Sequence, residues 1–431
     1  RRAARKSIVP TEKTEKLTSI PADALRKAAI MFATNKPGSL VYSMGITQHI
    51  QGVDNVKSTG NLQMILGNLG VYAGGVNPLR GQQNVQGACD VGALANVFSG
   101  YQPVIDPAAR EKMAKAWNID AKEMDDKVGL TIVEAVQAAG KDKIKALYIM
   151  GENPMVSDPD INHVKECLEK PFLVVQDIFM TPTAELADVV LPAASFAEKD
   201  GTFTSTQRTV SRIRKAIEPV GDSKPDYWII GQIAERMGYK DLLYSHPKQI
   251  LAEINSITPS YAGITWERID SKEFPFGLTW PCPNVEHKGT PFLHKDGKFT
   301  RGKGKCHTCE YVPPAEEPDE EYPFRLTTGR VGPQWHTGTM TRRSITLDRE
   351  VPSAYIEINP DDAKNLGIRK NQMVNVSSRR GTIILRAEIS NIVPKGLVFI
   401  PFHFVEAPAN KLTIASLDPI AKIPDFKVCA V

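Results

Sequence analysis

KALYIMGENPMVSDPDINHVKECLEKPFLVVQD, residues 145–177, is the stretch that decides the fold. It opens with the apolar run KALYIMG and closes with the apolar run FLVVQD, and a helical stretch lies between them near residues 160–169. A third apolar run, ADVVLP, follows at 187–192. Short apolar runs separated by helices are typical of a parallel sheet that is covered on both faces. The stretch therefore predicts an α/β fold.

The carboxyl ends of the first two predicted strands carry small and polar residues. These residues are Gly151, Glu152, Asn153, Gln176 and Asp177. Ligands of open α/β sheets bind at this edge of the sheet, so we expect a binding site there. Neither GENP nor VVQD is specific by itself, because strand ends of this kind occur in many α/β proteins.

The first hundred residues predict another helix–strand–loop–helix unit. SIPADALRKAAIMFATNKPG (19–38) has Pro21 near its start, apolar residues at helical spacing and a Pro-Gly stop. SLVYSMG (39–45) predicts a short strand that breaks at Gly45, and NLQMILGNLG (61–70) returns to helical spacing.

A loop rich in glycine and amides follows, GGVNPLRGQQNVQGACDVG (74–92), with Arg80 near its centre. Glycine allows a close approach of the backbone, and amides both donate and accept hydrogen bonds. The loop therefore suits a ligand rich in phosphates and hydrogen-bonding edges. The same residues also suit a tight turn whose amides satisfy the turn itself, and the local sequence leaves both interpretations open.

The last third of the chain has a different pattern. VPPAEEPDEEYP (312–323) is acidic and rich in proline, which is typical of a linker. Beyond it we predict short strands and one helix that begins after Asn359 and stops at Gly367. This pattern predicts a β-barrel domain. The predicted strands are FRLTTG, AYIEI, QMVNVSS, GTIILRAEI and GLVFIPF.

Five segments follow from these patterns. Residues 240–312 show little periodicity and are expected to be irregular. The expected segments are an α/β layer that completes a cofactor-binding domain (1–82), an α/β dinucleotide-binding domain (83–195), a connecting α/β and irregular region (196–312), the acidic linker (313–323) and the β-barrel domain (324–431).

Composition and charge exclude several classes of protein. The chain has 431 residues, 42% of them hydrophobic and 24% charged, which is typical of a globular protein. The net charge of +4 gives no indication of nucleic-acid binding. No run approaches the roughly 20 apolar residues of a membrane span. The opening RRAARKSIVP lacks the apolar core of a signal peptide and leads us to expect the later part of a longer polypeptide.

The six cysteines are scattered along the chain, which favours a reducing, cytoplasmic compartment over a disulfide framework, although a periplasmic location stays open. CHTC (306–309) is the only close pair. A second pair at the spacing of metal ligands is absent, so an incidental basic loop is favoured over a metal or redox site.

Two further stretches carry charged residues that are candidates for a functional site. TFTSTQRTVSRIRKA (202–216) gathers four basic residues, of which Arg214 and Lys215 are expected to be solvated. TTGRVGPQWHTGTMTRRS (327–344) opens the predicted barrel with Arg330 and His336. A histidine next to a tryptophan is more often packed than catalytic, and the sequence alone does not decide.

Taken together, several stretches resemble the catalytic subunit of molybdenum- or tungsten-dependent formate dehydrogenases, in the molybdopterin oxidoreductase superfamily. The resemblance runs from near residue 20 to the end. NPLRGQQNVQGACD is highly specific, whereas DVVLP and the barrel motif are shared with nitrate and other reductases. The stretches are SMGITQHIQGVDNV, NPLRGQQNVQGACDVGAL, YIMGENPMVSDPD, VVQDIFMTPTAELADVVLPAASFAEKDGTFT and LTTGRVGPQWHTGTMTRRS, with GLVFIPFHF near the end.

The resemblance implies a role for each matching residue. One metal would be held by two pterin guanine dinucleotides, and Arg80 would orient formate beside it through a two-pronged hydrogen bond. Gln82, Met44 and Gln48 would contact pterin. The residues implied to line a guanosine pocket are Gly151, Glu152, Asn153, Gln176, Asp177 and Asp226. Those implied to close over the cofactors from the barrel are Thr328, Arg330, His336, Asn410 and Lys427.

The sequence departs from the family pattern in places. Gln83 stands where asparagine is usual, and Gln334 stands where histidine is common. The family's metal ligand, a cysteine or selenocysteine followed by histidine, and its [4Fe-4S] cysteines precede the matched region. We therefore expect no metal ligand in this chain and expect it to be the carboxyl-terminal portion of the catalytic subunit.

The resemblance implies reversible two-electron oxidation of formate to CO2, with the hard chemistry carried by the cofactor. Its expected partners are the amino-terminal portion of the subunit and iron–sulfur electron-transfer subunits. One alternative is another oxyanion oxidoreductase of the superfamily, such as a nitrate reductase. The other is a non-catalytic scaffold that retains the fold.

Overall fold

The computed structural model describes residues 10–431, and they form two compact units. The chain leaves and re-enters each unit. The first unit contains the described residues up to Leu79 together with 290–314 and 417–423, and the second contains 80–289, 315–416 and 424–431. The five segments expected from the sequence remain a prediction, because a division by contacts joins pieces that are distant along the chain.

The first unit contains the predicted helix–strand–helix pattern. Helix α2 follows Pro21, and β1 pairs in parallel with β2. The predicted strand ends at Tyr42, before Gly45, because Met44 already begins a helix. The elements are α1 (Thr11–Thr18), α2 (Ala22–Thr34), β1 (Ser39–Tyr42), α3 (Met44–Thr47), α4 (Gly52–Leu66) and β2 (Gly75–Pro78).

The second unit begins with short elements that lead into a parallel sheet. The strand pairs of this sheet are all parallel, in the order β5-β6-β7, as the sequence predicts. The elements are α5 (Val85–Asp90), β3 (Val97–Phe98), β4 (Gln102–Pro103), α6 (Pro107–Ala116), α7 (Ile132–Gly140), β5 (Ala146–Met150), α8 (Pro154–Ser157), α9 (Ile161–Leu168), β6 (Phe172–Asp177) and β7 (Val189–Pro192).

Within residues 10–431, one face of the β5-β6-β7 sheet is covered, and the other face carries exposed apolar side chains. Leu173 and Val175 are fully buried in a core that includes Val136 of α7 and Leu168 of α9. The expectation of a sheet covered on both faces is wrong for the described residues, since large apolar side chains on the strands remain exposed to solvent. Tyr148 is 44% exposed, Met150 50% and Phe172 53%.

The middle of the chain is more regular than the sequence predicts. β8 and β9 form an antiparallel hairpin, and β10 adds to its edge. The expectation that residues 240–312 are irregular is wrong at α11, because the His246 ring accepts from the Lys248 N–H and caps a helix that starts at Pro247. The elements are β8 (Gly201–Thr204), β9 (Thr209–Ile213), α10 (Asp226–Arg236), α11 (Pro247–Ile257), α12 (Trp266–Ile269) and β10 (Leu278–Thr279).

The basic residues in and after β9 differ in how far they are buried. Arg214 stays exposed, with a side-chain exposure of 62%, as expected for a solvated residue. The Arg212 side chain is instead buried, lies over the Trp266 ring and bonds Asp200.

The carboxyl-terminal residues form a curled six-stranded sheet, which confirms the predicted β domain. Its strand order is β13-β14-β12-β15-β11-β16. The Asn359 side chain caps α14 as predicted, but the expectation of one helix is wrong because α13 precedes β12. The elements are β11 (Arg325–Gly329), α13 (Ile345–Glu350), β12 (Tyr355–Ile358), α14 (Pro360–Asn365), β13 (Met373–Ser378), β14 (Gly381–Ile389), β15 (Leu397–Pro401) and β16 (Cys429–Ala430).

The acidic linker is fastened to this sheet. Glu316 is buried, accepts from Arg379 at 2.7 Å and from Arg380 at 2.6 Å, and also accepts from the Ala430 N–H at 3.0 Å. The stretch predicted to be a linker is therefore held against the sheet at Glu316. Within residues 10–431, no helix is both long and apolar enough to cross a membrane.

Candidate cofactor site and active site

A hydrogen-bonded network occupies the carboxyl edge of the β5-β6-β7 sheet. The Gln176 amide donates to Asp226 at 2.7 Å, and the Tyr148 hydroxyl donates to the Gln176 amide oxygen. Lys199 forms an ion pair with the same Asp226 carboxylate and donates to the Ala194 carbonyl at 3.0 Å. The structure thus brings together Gln176 and Asp226, two of the residues singled out from the sequence.

The turn after β5 supplies three more of those residues. Gly151 has φ +63°, a backbone conformation that glycine adopts without strain, and a Cβ there would meet nothing within 4 Å. Asn153 is 3% exposed, and its amide oxygen accepts from the Thr183 hydroxyl at 2.7 Å. Its Nδ2 group has no hydrogen-bond partner within the described part of the chain. A buried donor of this kind suits a bound ligand.

Two carboxylates lie near this turn. Burial raises the pKa of Asp177, and the charge of Glu152 adds to the rise, while N–H groups of the following turn oppose it. Burial and the Glu152 charge also raise the pKa of Asp158 to about 7. The neutral form of a carboxyl group such as that of Asp158 can both donate and accept hydrogen bonds.

A cavity of about 300 Å³ lies beside Asn153. Hydroxyl groups, a glycine and two arginines line much of it, a combination that suits a phosphate-bearing ligand. Its lining residues are Asn153, Thr181, Pro182, Thr337, Gly338, Thr339, Arg342, Arg343 and Val405.

The curled sheet contributes residues from the ends of β11 and β15. The Thr328 hydroxyl donates to the Phe426 carbonyl at 2.7 Å, and Lys427 Nζ donates to the Thr328 carbonyl at 2.7 Å. Burial, together with the charge of Arg330, lowers the pKa of Lys427 to about 8. Arg330 itself lies over the rings of Trp335 and Phe402.

His336 lies in the loop after Arg330 and has φ +47°. Burial lowers its pKa, and the charge of Glu152 opposes that shift, so His336 and Glu152 belong to one neighbourhood. The sequence analysis missed His403, which is fully buried and holds this loop. Its Nε2 accepts from the Val331 N–H at 3.0 Å, and its Nδ1 donates to the His336 carbonyl.

Asn410 joins the carboxyl-terminal part of the chain to α8, the helix that follows the turn after β5. Its buried amide donates to the carbonyls of Val156 at 2.9 Å and Ser157 at 3.1 Å. Asn410 therefore ties the two parts of the second unit together at the candidate site. Gln334, two residues before His336, is buried, and its amide oxygen accepts from the Thr341 hydroxyl at 2.7 Å, a structural contact.

Arg80 lies at the start of the second unit with its side chain exposed. Its backbone N–H donates to the Thr206 hydroxyl at 3.2 Å, and its guanidinium contacts Cys89 Sγ at 3.7 Å. Gln82 follows in the same loop and is half-buried. Met44 and Gln48 instead belong to the first unit, at the two ends of α3.

Lys199 is a second residue that the sequence analysis missed. The stretch AEKDGTFT that contains it was recognised, but a lysine between two strands gives no sign of its partner on a distant helix. In residues 10–431, no group of three or more His, Cys, Asp or Glu side chains could hold a metal ion. Cys306 lies exposed in the CHTC loop.

Comparison with known families defines the class of this protein. Residues 28–236 match the family described as molybdopterin oxidoreductase, and residues 324–430 match the molydopterin dinucleotide binding domain. The chain belongs to the molybdopterin oxidoreductases.

The named relatives show which molybdopterin oxidoreductases this chain is similar to. The chain is 50% identical over 423 residues to the F420-dependent formate dehydrogenase subunit alpha of Methanocaldococcus jannaschii, covering 97% of this chain and 61% of the relative. It is 40% identical over 425 residues to formate dehydrogenase H of Escherichia coli, covering 97% of this chain and 59% of the relative. The chain thus spans about three fifths of the length of these relatives.

A solved structure supports the fold. Acetylene hydratase from Pelobacter acetylenicus superposes with a TM-score of 0.72 at 18% identity, over 98% of this chain and 64% of that chain.

Proposed function

We propose that this chain is part of the catalytic subunit of a formate dehydrogenase, which oxidises formate to CO2 and releases two electrons and a proton. The observation that carries the proposal is the 50% identity, over nearly the whole chain, to a formate dehydrogenase alpha subunit. The NPLRGQ loop adds a positively charged group, Arg80, that suits a substrate carboxylate.

The proposed cofactor is a molybdenum or tungsten ion held by two pterin guanine dinucleotides, and the chain's own residues fit such a group. The unpartnered Asn153 amide donor lines a cavity of about 300 Å³ together with Arg342 and Arg343. Near it, Gln176 and Asp226 offer acceptors of the kind that a guanine edge bonds. When bound, the metal centre would accept the electrons of formate.

Each group of residues has a proposed task. The phosphates would be held by arginine and hydroxyl groups of the cavity, and the guanosine by the edge of the β5-β6-β7 sheet. Arg330, Lys427, Thr328, His336 and Asn410 would close the site from the curled sheet, and Met44, Gln48 and Gln82 would contact pterin. Arg80 would hold formate by two parallel hydrogen bonds, since a guanidinium keeps its proton while it orients a carboxylate.

The proposed partners follow from the Methanocaldococcus jannaschii relative, which is named as the alpha subunit of a formate dehydrogenase. We propose that the remaining two fifths of such a subunit carries the metal ligand and a [4Fe-4S] cluster. Iron–sulfur subunits would carry the electrons away. A cytoplasmic location is proposed as well.

The proposal is tested on the full-length enzyme that contains this chain. We expect formate-dependent dye reduction, no reduction of nitrate with a reduced dye, and molybdenum or tungsten together with two guanine dinucleotides per subunit. Nitrate reduction without formate oxidation would favour the oxyanion reductase instead. Absence of metal and pterin from active complexes would favour the scaffold.

A further inference from the structure

The carboxylate of Asp90 is the most heavily bonded acidic group near Arg80. Asp90 is 1% exposed. Its Oδ1 accepts from Gln86 at 2.8 Å and from the Tyr101 hydroxyl at 2.7 Å. Its Oδ2 accepts from the Tyr261 hydroxyl at 2.6 Å and from the Trp280 indole at 2.7 Å. Four donors therefore converge on one carboxylate at the end of α5.

Three of these donors come from segments outside α5, and two of those segments are far along the chain. Tyr101 belongs to the turn before β4, Tyr261 follows α11, and Trp280 follows β10. Burial and bonding to Asp90 raise the pKa of Tyr101, and burial with the Asp90 charge raises that of Tyr261, so both phenols stay donors. Asp90 fixes the carboxyl end of α5 against all three segments.

α5 and the residue before it also contact the Arg80 loop and the β8–β9 hairpin. Cys89, the neighbour of Asp90, contacts the Arg80 guanidinium at 3.7 Å. Asn84, just before α5, accepts from the Thr204 N–H at 3.0 Å. Arg80 and Asn84 are thus both tied to the β8–β9 hairpin, and α5 is the element that connects them to Asp90.

The hairpin and the Asp90 cluster form one connected structure. The Tyr261 hydroxyl lies 3.2 Å from the Thr204 hydroxyl, so one side chain touches both. Arg208, in the hairpin turn, lies over the Trp280 ring and donates to the Trp280 carbonyl. Through Tyr261 and Trp280, Asp90 is therefore connected to the hairpin that holds the Arg80 loop at Thr204 and Thr206.

Stability alone gives a weak account of this arrangement. Taking a carboxylate out of water is costly, and its hydrogen bonds to neutral donors serve in part to offset that cost. What the carboxylate provides is fixed geometry, because each donor is held at one place and in one direction.

We propose that Asp90 is a positioning residue that fixes α5 and thereby orients the Arg80 guanidinium toward the substrate carboxylate. The inference rests on the proposed role of Arg80 in formate oxidation. It predicts that Asp90 and Arg80 act as one unit, so that the loss of one removes most of the effect of the other.

The test compares Asp90→Asn, Arg80→Lys and the double variant in the full-length enzyme. The Asp90→Asn change places an amide NH2 group where a carboxylate oxygen accepted two hydrogen bonds, so α5 shifts. We expect kcat/KM for formate to fall about 10- to 100-fold in Asp90→Asn, with metal and pterin content near wild type. The double variant should be no slower than Arg80→Lys within about threefold.

A second readout does not depend on activity. The rate of alkylation of Cys89 relative to exposed Cys306, followed by mass spectrometry, reports the surroundings of Cys89. We expect this ratio to change at least about threefold in Asp90→Asn. Glu316→Gln, which changes a buried carboxylate of the acidic linker, is the matched control: it should lower stability but leave both the ratio and kcat/KM unchanged.

The outcomes separate the two hypotheses. Full activity in Arg80→Lys would overturn the proposed role of Arg80 itself. A slow Arg80→Lys with an unaltered Asp90→Asn, or losses that multiply in the double variant, would overturn only the role of Asp90. If Asp90→Asn does not fold, Tyr101→Phe replaces it, because that residue is 41% exposed and the change removes one donor. It should lower kcat/KM about threefold to tenfold, and an unchanged value would again overturn the inference.

Discussion

Arg80 is the residue on which the proposed chemistry depends most directly. Lysine keeps the positive charge but loses the planar fork that can bond both oxygens of a carboxylate. We expect Arg80→Lys in the full-length enzyme to lower kcat/KM for formate roughly 10²- to 10⁴-fold, about 3–5 kcal/mol of transition-state stabilisation. Metal and pterin content should stay near wild type, because many other groups hold the cofactor.

Arg214 offers the matched control, since it is an exposed arginine that pairs with Asp270 on the same unit. Arg214→Lys should leave steady-state kinetics unchanged. If Arg80 served only the turn, Arg80→Lys would leave turnover intact or would lower stability and cofactor content together. Measuring kinetics and cofactor content on one preparation distinguishes these results.

His403 gives a prediction about pH. Burial lowers its pKa to about 4, and the charges of Arg330, His336 and Arg342 add to the shift, although the bond to the His336 carbonyl opposes it. The folded pKa lies below the ordinary value of about 6.5, so unfolding takes up a proton between these values. The stabilisation from neutral His403 is complete above about pH 6.5 and is lost as pH falls toward 4.

The difference of pKa corresponds to about 3 kcal/mol of unfolding free energy at most. We expect His403→Gln to be less stable than wild type at pH 7, and the gap between the two to shrink as pH falls to 5. Denaturation by urea at both pH values measures this. A gap that is constant with pH would show that His403 does not titrate as proposed.

Residues of the site could be predicted from the sequence only where a motif carried them. Gln176 and Asp226 were chosen by resemblance, and the structure joins them by a hydrogen bond across 50 positions of sequence. Lys199, His403 and Asp90 were missed because their importance lies in partners from distant segments. The spacing of residues along the chain does not indicate which distant side chains will become hydrogen-bond partners in the fold.

At the level of elements, the sequence predicts the bounds of a strand or helix where neighbouring residues determine them. β6 spans Phe172–Asp177, the predicted run, because an apolar strand between two polar turns has one stable location. α14 starts where Asn359 caps it. α11 was missed because its cap is a histidine ring, an unusual acceptor at this position.

The contribution of the Glu316 ion pairs to holding the acidic linker against the curled sheet can be tested. Glu316 is buried against two arginines, whereas Glu317 makes an exposed ion pair with Arg325. Removing one partner of a buried ion pair costs about 3–5 kcal/mol, and an exposed pair contributes about 0–1 kcal/mol. We expect Glu316→Ala to speed limited proteolysis within 312–323 strongly.

Glu317→Ala is the control and should be cut at nearly the wild-type rate. Mass spectrometry of the first fragments identifies the cleavage site. Equal rates in the two variants, or first cuts inside 325–400 in Glu316→Ala, would contradict the view that Glu316 fastens the linker to the curled sheet.

At the scale of the whole molecule, the chain leaves apolar surface open. Parallel sheets are normally covered on both faces, yet one face of the β5-β6-β7 sheet exposes Tyr148, Met150 and Phe172. The chain also spans only about three fifths of its formate dehydrogenase relatives. The exposed apolar face is consistent with the proposal that this chain is part of a catalytic subunit, whose remaining part would cover the face.

The last prediction concerns residues 1–431 expressed alone. They contain Arg80 and the Gln176–Asp226 edge, but no cluster of metal-ligating side chains in the described range. We expect no formate-dependent dye reduction and poor retention of metal. We also expect self-association, since open apolar patches drive it. Co-expression with the amino-terminal part of a related alpha subunit should restore solubility and pterin content first, and then activity. Stoichiometric metal and turnover in this chain alone would contradict the prediction, and would make Cys306 of the CHTC loop a candidate metal ligand.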